Sequence, residues 1–210
     1  MCSAHPDRED GLRSALIELL SREDTLIEAQ SEEVKKTGKT LTEGYLNYYG
    51  DLIAAVAGLN DPRALNALIG AMATGGMADR ALAKLGPPAL DPLIAKFQSS
   101  DALVRGAAAR ALTTMWEPEY QVNFSDSVSR RKLKTVFLKA ASDDDGGIRV
   151  AGVRGLALMP DADTLAVLRK LAESDPLRMP GEADEGGPFY PVRQAAKRAL
   201  DQIAQSGNSK

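Results

Sequence analysis

One phrase occurs three times in this chain and constrains it more than any other feature. "VRGAAARAL" begins at Val104, "IRVAGVRGL" at Ile148 and "VRQAAKRAL" at Val192. Arginines fall at 105, 149 and 193 and again at 110, 154 and 198, a spacing of 44 residues each time. In the first copy the apolar or small residues are Val104, Ala107, Ala108, Ala111, Leu112 and Met115, steps of 0, 3, 4, 7, 8 and 11. The other two copies keep those steps, ending at Met159 and Ile203. That spacing is one buried stripe along an α-helix. Its small members let a neighbouring helix backbone come close. A unit recurring at this period buries its stripe by stacking on its neighbours.

Two weaker copies lie upstream. Met77, Ala78, Ala81, Leu82 and Leu85 match from the second position onward, and Tyr45, Tyr48, Tyr49, Leu52, Ile53 and Val56 reproduce the stripe with larger side chains. Each of the five is preceded by a shorter stripe, starting at Leu12, Leu65, Leu90, Leu133 and Leu165. Proline in "DPRALNALI" and "GPPALDPLI" suits a first helical turn, where its missing N–H costs nothing. Asp101 and Asp145 stand just ahead of the second helices, where a carboxylate caps free amides. Aromatics are only 5% of the chain, while alanine and leucine abound, which favours helix over strand. The expected fold is all-α: one domain over 1–210, a right-handed α-solenoid of about five helix pairs, with flexible ends at 1–9 and 205–210.

Three stretches fall outside the repeat. Residues 21–41 are polar and either extend the first helix or form a short one. Residues 117–128 read as a connecting loop. Residues 174–191 carry four prolines and three glycines, which argues against a helix.

"DPRALNALIGAM", "GPPALDPLIAKFQSSDALVRGAAARAL" and "DDDGGIRVAGVRGLALMPDADTLAVLRKLA" resemble HEAT-like repeats of the kind found in phycobilisome-lyase-related proteins and many bacterial proteins of unassigned role. The resemblance is clearest from Asp61 to Ala172 and resumes over Pro191–Ile203. It speaks to fold and hardly to function. It departs from the family pattern at the compressed second pair, with only "TGG" (74–76) between its helices, and at the long inserts. The resemblance implies that Arg105, Arg149 and Arg193 bond to acidic or carbonyl groups of the adjoining repeat, with Asp101, Asp145 and Asp161 as candidates. The alternative is that one arginine ladder, Arg110, Arg154 and Arg198, faces an open groove and meets an anionic partner.

His5 is the only histidine and Cys2 the only cysteine. A Ser-His-Asp triad, a multi-histidine metal site and a zinc site are therefore not expected, nor the His-Glu pairs that a HEAT-like di-iron hydroxylase would need. No catalytic residue, metal ligand or cofactor site is assigned. "KKTGKT" (35–40) lacks the first glycine of a phosphate-binding loop and reads as a solvated loop. "SDDDG" (142–146) lacks the alternating ligands of a calcium loop and reads as a helix cap and turn. The basic run "RRKLKTVFLK" (130–139) is either a solvated helix face or a phosphate-contacting patch. Trp116, with Tyr120 nearby, either anchors a partner or packs its loop onto the helices, and the same choice applies to Phe189 and Tyr190. The Tyr45/Tyr48/Tyr49 cluster is expected to fill the core of the first pair.

The net charge of −3 disfavours a general polyanion binder. The expected function is a non-catalytic protein-interaction or scaffold module whose partner is another protein or peptide. The alternatives are a nucleic-acid binder of the DNA-glycosylase-like kind and a lyase-related accessory protein. No run is apolar enough to span a membrane. A cytoplasmic location is the simplest expectation, with an exported lipoprotein as the alternative if Cys2 were the first residue of a processed form.

Overall fold

The computed structural model describes residues 6–38, 42–72, 76–124, 126–180 and 188–207. Among them the chain is almost wholly helical and has no strand; one isolated antiparallel bridge joins Met179 and Phe189. No described helix is long and apolar enough to cross a membrane. The chain divides into two compact units, Met1–Ala89 and Leu90–Lys210.

The first unit holds α1 (Pro6–Thr37), α2 (Glu43–Gly58), α3 (Leu65–Ala71) and α4 (Met77–Leu85). α1 packs on α2 and α3, and α2 and α3 both pack on α4. The polar stretch after Ser21 extends α1 rather than forming its own helix, and the first half of the loop expected at 35–40 is absorbed: the helix runs through Thr37 and stops before Gly38, at φ +70°. Residues 39–41 and 73–75 lie outside the described residues. α1 begins at Pro6, inside the stretch expected to be flexible. Pro62 and Pro87 each open a short 3₁₀ turn, and the Asp61 carboxylate accepts the Arg63 N–H there. The tyrosine cluster fills the core only in part. Tyr49 is buried and its hydroxyl donates to Asp24; Tyr45 is half-buried, with its hydroxyl 2.7 Å from Glu23; Tyr48 is exposed. Burial, with the Glu23 hydrogen bond and charge, pushes the Tyr45 phenol up to about 12.

The second unit holds α5 (Leu90–Phe97), α6 (Ala102–Met115), α7 (Ser127–Ala140), α8 (Gly146–Ala157), α9 (Ala162–Ser174) and α10 (Pro191–Gly207). α6, α8 and α10 carry the three repeated phrases, and α8 packs against both α6 and α10. Asp101, Asp145 and Asp161 cap the N-termini of α6, α8 and α9, each accepting a backbone N–H. The core is the expected stripe: Leu112, Met115, Ile148, Leu156 and Val192 are almost fully buried, with Leu93, Leu133 and Phe137 from the preceding helices. Each such side chain contributes roughly 1.5–3 kcal/mol by leaving water. α10 continues to Gly207, past the start of the tail expected to be flexible. The 117–128 connection is not a plain loop: it folds into a 3₁₀ turn over Gln121–Phe124 that buries Phe124.

Candidate functional site

Two of the repeated arginines act as staples. Arg105 Nη1 donates to the carbonyls of Ser99 and Ser100, and its Nε and Nη2 fork onto the Asp143 carboxylate at 3.1 and 3.2 Å. Arg149 repeats the arrangement one copy later. Its Nη1 donates to the carbonyls of Asp143 and Asp144, and its Nε and Nη2 hold Asp175 at 2.7 and 3.1 Å. Arg193 keeps a remnant, donating from Nε to the Asp175 carbonyl at 2.7 Å and lying over the Tyr190 ring. The arginines do meet acidic and carbonyl groups, but the carboxylates are Asp143 and Asp175. Asp101, Asp145 and Asp161 are engaged as helix caps instead. Burial alone would raise the Asp143 and Asp175 carboxyls; the guanidinium on each outweighs it and holds them below the usual range. The planar fork suits this task, since it satisfies both carboxylate oxygens at once.

The residues expected to meet a partner do not come together as one surface. Trp116 is only 5% exposed and donates from Nε1 to the Leu158 carbonyl at 3.2 Å, so its ring fastens the end of α6 to α8. Tyr120 is equally buried. Neither offers a ring face to solvent. Phe189 is exposed and Tyr190 half-buried beside the Met179 bridge; residues 181–187 of that insert lie outside the described residues. Arg154 and Arg198 are exposed, while Arg110 is half-buried.

The basic run lies on α7, and its cations take different roles. Arg130 stands over the Trp116 ring, and Lys134 bridges Asp161 and Asp163. Arg131, Lys132 and Lys139 instead turn toward α5. α5 and α7 touch only sparingly and leave between them a groove of about 450 Å³. Its α7 wall is Val128, Arg131, Lys132, Thr135, Val136 and Lys139. These follow the same steps of 0, 3, 4, 7, 8 and 11 as the core stripes, along a face offset from the buried Leu133, Phe137 and Ala140. The α5 wall supplies Asp91, Ile94, Phe97 and Gln98. Phe97 and Val136 form a buried apolar floor, whereas Val128 is 56% exposed at the mouth. Lys139 Nζ lies 5.8 Å from the Phe97 ring centroid. Lys132 Nζ meets both oxygens of Asp91, at 2.6 and 2.9 Å.

The groove was legible in part. The run 130–139 stood out by charge, but the second stripe on α7 mixes Val and Thr with cations and so escapes a search for apolar periodicity. A larger hollow of about 710 Å³ lies beside Arg149 and Asp175, yet the buried charges at its wall already satisfy one another. No protein-family model matches the sequence, and no curated protein matches it.

Proposed function

We propose that the chain is a HEAT-like repeat protein, its helix pairs stacked as a right-handed α-solenoid, and that its work is to bind another protein. The repeated phrases, the recurring arginine staples and the packing of α8 between α6 and α10 support the repeat reading. The single observation that supports binding is the groove between α5 and α7. It combines a buried apolar floor, an exposed valine at its mouth and a cationic rim, the mixture that protein-binding surfaces use. Both walls are helices, and Arg105 ties the residues just after α5 to those just after α7, so little order has to be gained on binding.

The test is photo-crosslinking in cells of the source organism, with a photoreactive residue replacing Val128 in the full chain. A control carries it at Glu173, exposed on α9 and outside the groove. The expected result is a discrete protein adduct at position 128 and none at 173. No protein adduct at position 128, or one to nucleic acid alone, overturns the reading.

A further inference from the structure

The proposed binding role leaves the partner's chemistry open, and the groove narrows it. Its rim carries three cations, Arg131, Lys132 and Lys139, against the single carboxylate of Asp91. This local excess of positive charge sits in a chain whose net charge is −3. The Arg131 guanidinium is exposed and has no hydrogen-bond or ion-pair partner among the described residues. Asp91 already occupies the rim as a carboxylate would: both of its oxygens lie on Lys132, and the pair is open to water, with side-chain exposures of 71% and 42%. An exposed pair of this kind is weak and easily exchanged. The floor asks for something else. Ile94, Phe97 and Val136 offer carbon and no hydrogen-bond donors at the bottom of the groove. The volume of about 450 Å³ lies within the range of binding clefts, about 300–1,000 Å³. A cavity of about 150 Å³ is already enough for an aromatic ring.

Resting on that binding role, we infer that the α5–α7 groove receives an acidic peptide segment of a partner protein. One large apolar side chain of the segment enters beside Val128 and packs on Phe97 and Val136. Flanking carboxylates take Arg131 and Lys139 and displace Asp91 from Lys132. A nucleic-acid backbone matches the rim but leaves the apolar floor without a partner, so the acidic peptide is the better fit.

The experiment selects peptides on the intact chain from a displayed random library and measures the winners by fluorescence anisotropy. Selected sequences are expected to be acidic and to contain a Leu, Phe, Trp or Met whose replacement by Ser abolishes binding. Arg131→Glu with Lys132→Glu should weaken binding by ~10-fold or more, because rim charges steer and hold an oppositely charged partner. Asp91→Asn should strengthen it several-fold, by removing the internal competitor; a folding defect would not do this. Raising salt from ~50 to ~300 mM should weaken binding as the exposed charges are screened. Circular dichroism melting should shift by no more than a few degrees in all three substitutions, which lie at exposed or half-buried rim positions where only a weak surface pair is lost. Selection without acidic bias, binding indifferent to these substitutions, or an oligonucleotide that displaces the peptide at equal charge overturns the assignment. A protein adduct at position 128 together with any of these results would retain the binding role and reject the acidic-peptide partner. Absence of both would reject the two together.

Discussion

At Arg149 one guanidinium engages two carbonyls and both oxygens of a carboxylate, with the Asp175 side chain only 1% exposed and the Arg149 side chain 11%. Removing the cation leaves the buried Asp175 charge with only the Leu177 N–H and the weaker influence of Arg193, which costs far more than the intact pair contributes. Arg149→Met is therefore expected to destabilise the protein by about 3–5 kcal/mol in urea unfolding. Adding Asp175→Asn should recover part of that loss, because the two changes act on one interaction. Arg105→Met should cost clearly less, since Arg105 and Asp143 are both more exposed. Arg154→Ala and Arg198→Ala, on exposed side chains, should leave stability nearly unchanged. This division was half legible. The recurrence of the arginines marked them as framework, and the resemblance implied contacts to the adjoining repeat. Their carboxylate partners were missed because Asp143 and Asp175 stand 38 and 26 residues downstream of the arginines they hold. A one-dimensional period does not encode that unequal spacing.

Among the elements, α7 and α8 depend most on the small residues of the repeat. A Cβ added at Gly152 would stand 2.4 Å from the Ala141 backbone nitrogen and 2.8 Å from the Ala140 carbonyl carbon. Backbone there cannot yield without moving the end of α7. Gly152→Ala is expected to cost ~2–3 kcal/mol through overpacking, despite alanine's better helix propensity. Gly146→Ala is the control. Its Cβ would meet the tip of the Leu177 side chain, which can swing away, so the loss in thermal midpoint should be much smaller. The stripe of alanines and glycines announced close helix contact in the sequence. The groove on the adjoining face of α7 announced itself only through the charge of the run 130–139. A cation in a sequence reads the same whether it pairs with Asp161, covers a tryptophan or lines a groove; only what each face of α7 meets, Asp161, Trp116 or α5, separates Lys134, Arg130 and Lys132.

For the molecule as a whole, several carboxylates held by cations make stability depend on pH in one direction. Asp61, Asp143, Asp161 and Asp175 all titrate lower in the fold than in the open chain. Arg63, through its side chain and its N–H, brings Asp61 down to about 2 from an ordinary 3.8. The unfolded chain then binds protons more readily than the native one, and stability falls as acid is added. The Asp61 contribution should be complete above the ordinary carboxyl range, fade as pH drops from 3.8, and be gone below about 2. Thermal midpoints by circular dichroism between pH 6 and 2 should trace this fall, and Asp61→Asn should flatten part of it. A midpoint that rises on acidification would contradict the ion-pair geometry.

Apart from α1, whose extent was left open and whose expected stripe begins at the 64% exposed Leu12, the sequence by itself determined that the chain is helical, where most helices lie and which face of the repeated ones is buried. These follow from local spacing, side-chain size and capping chemistry, all of which operate within a few residues along the chain. Tertiary structure alone decided that Trp116 and Tyr120 turn inward, that Asp175 anchors Arg149, and that three of the five cations on α7 line a groove with α5. Those outcomes depend on the angle and distance at which one helix meets another. That geometry is set by the summed packing of side chains distant in sequence, and no local pattern records it.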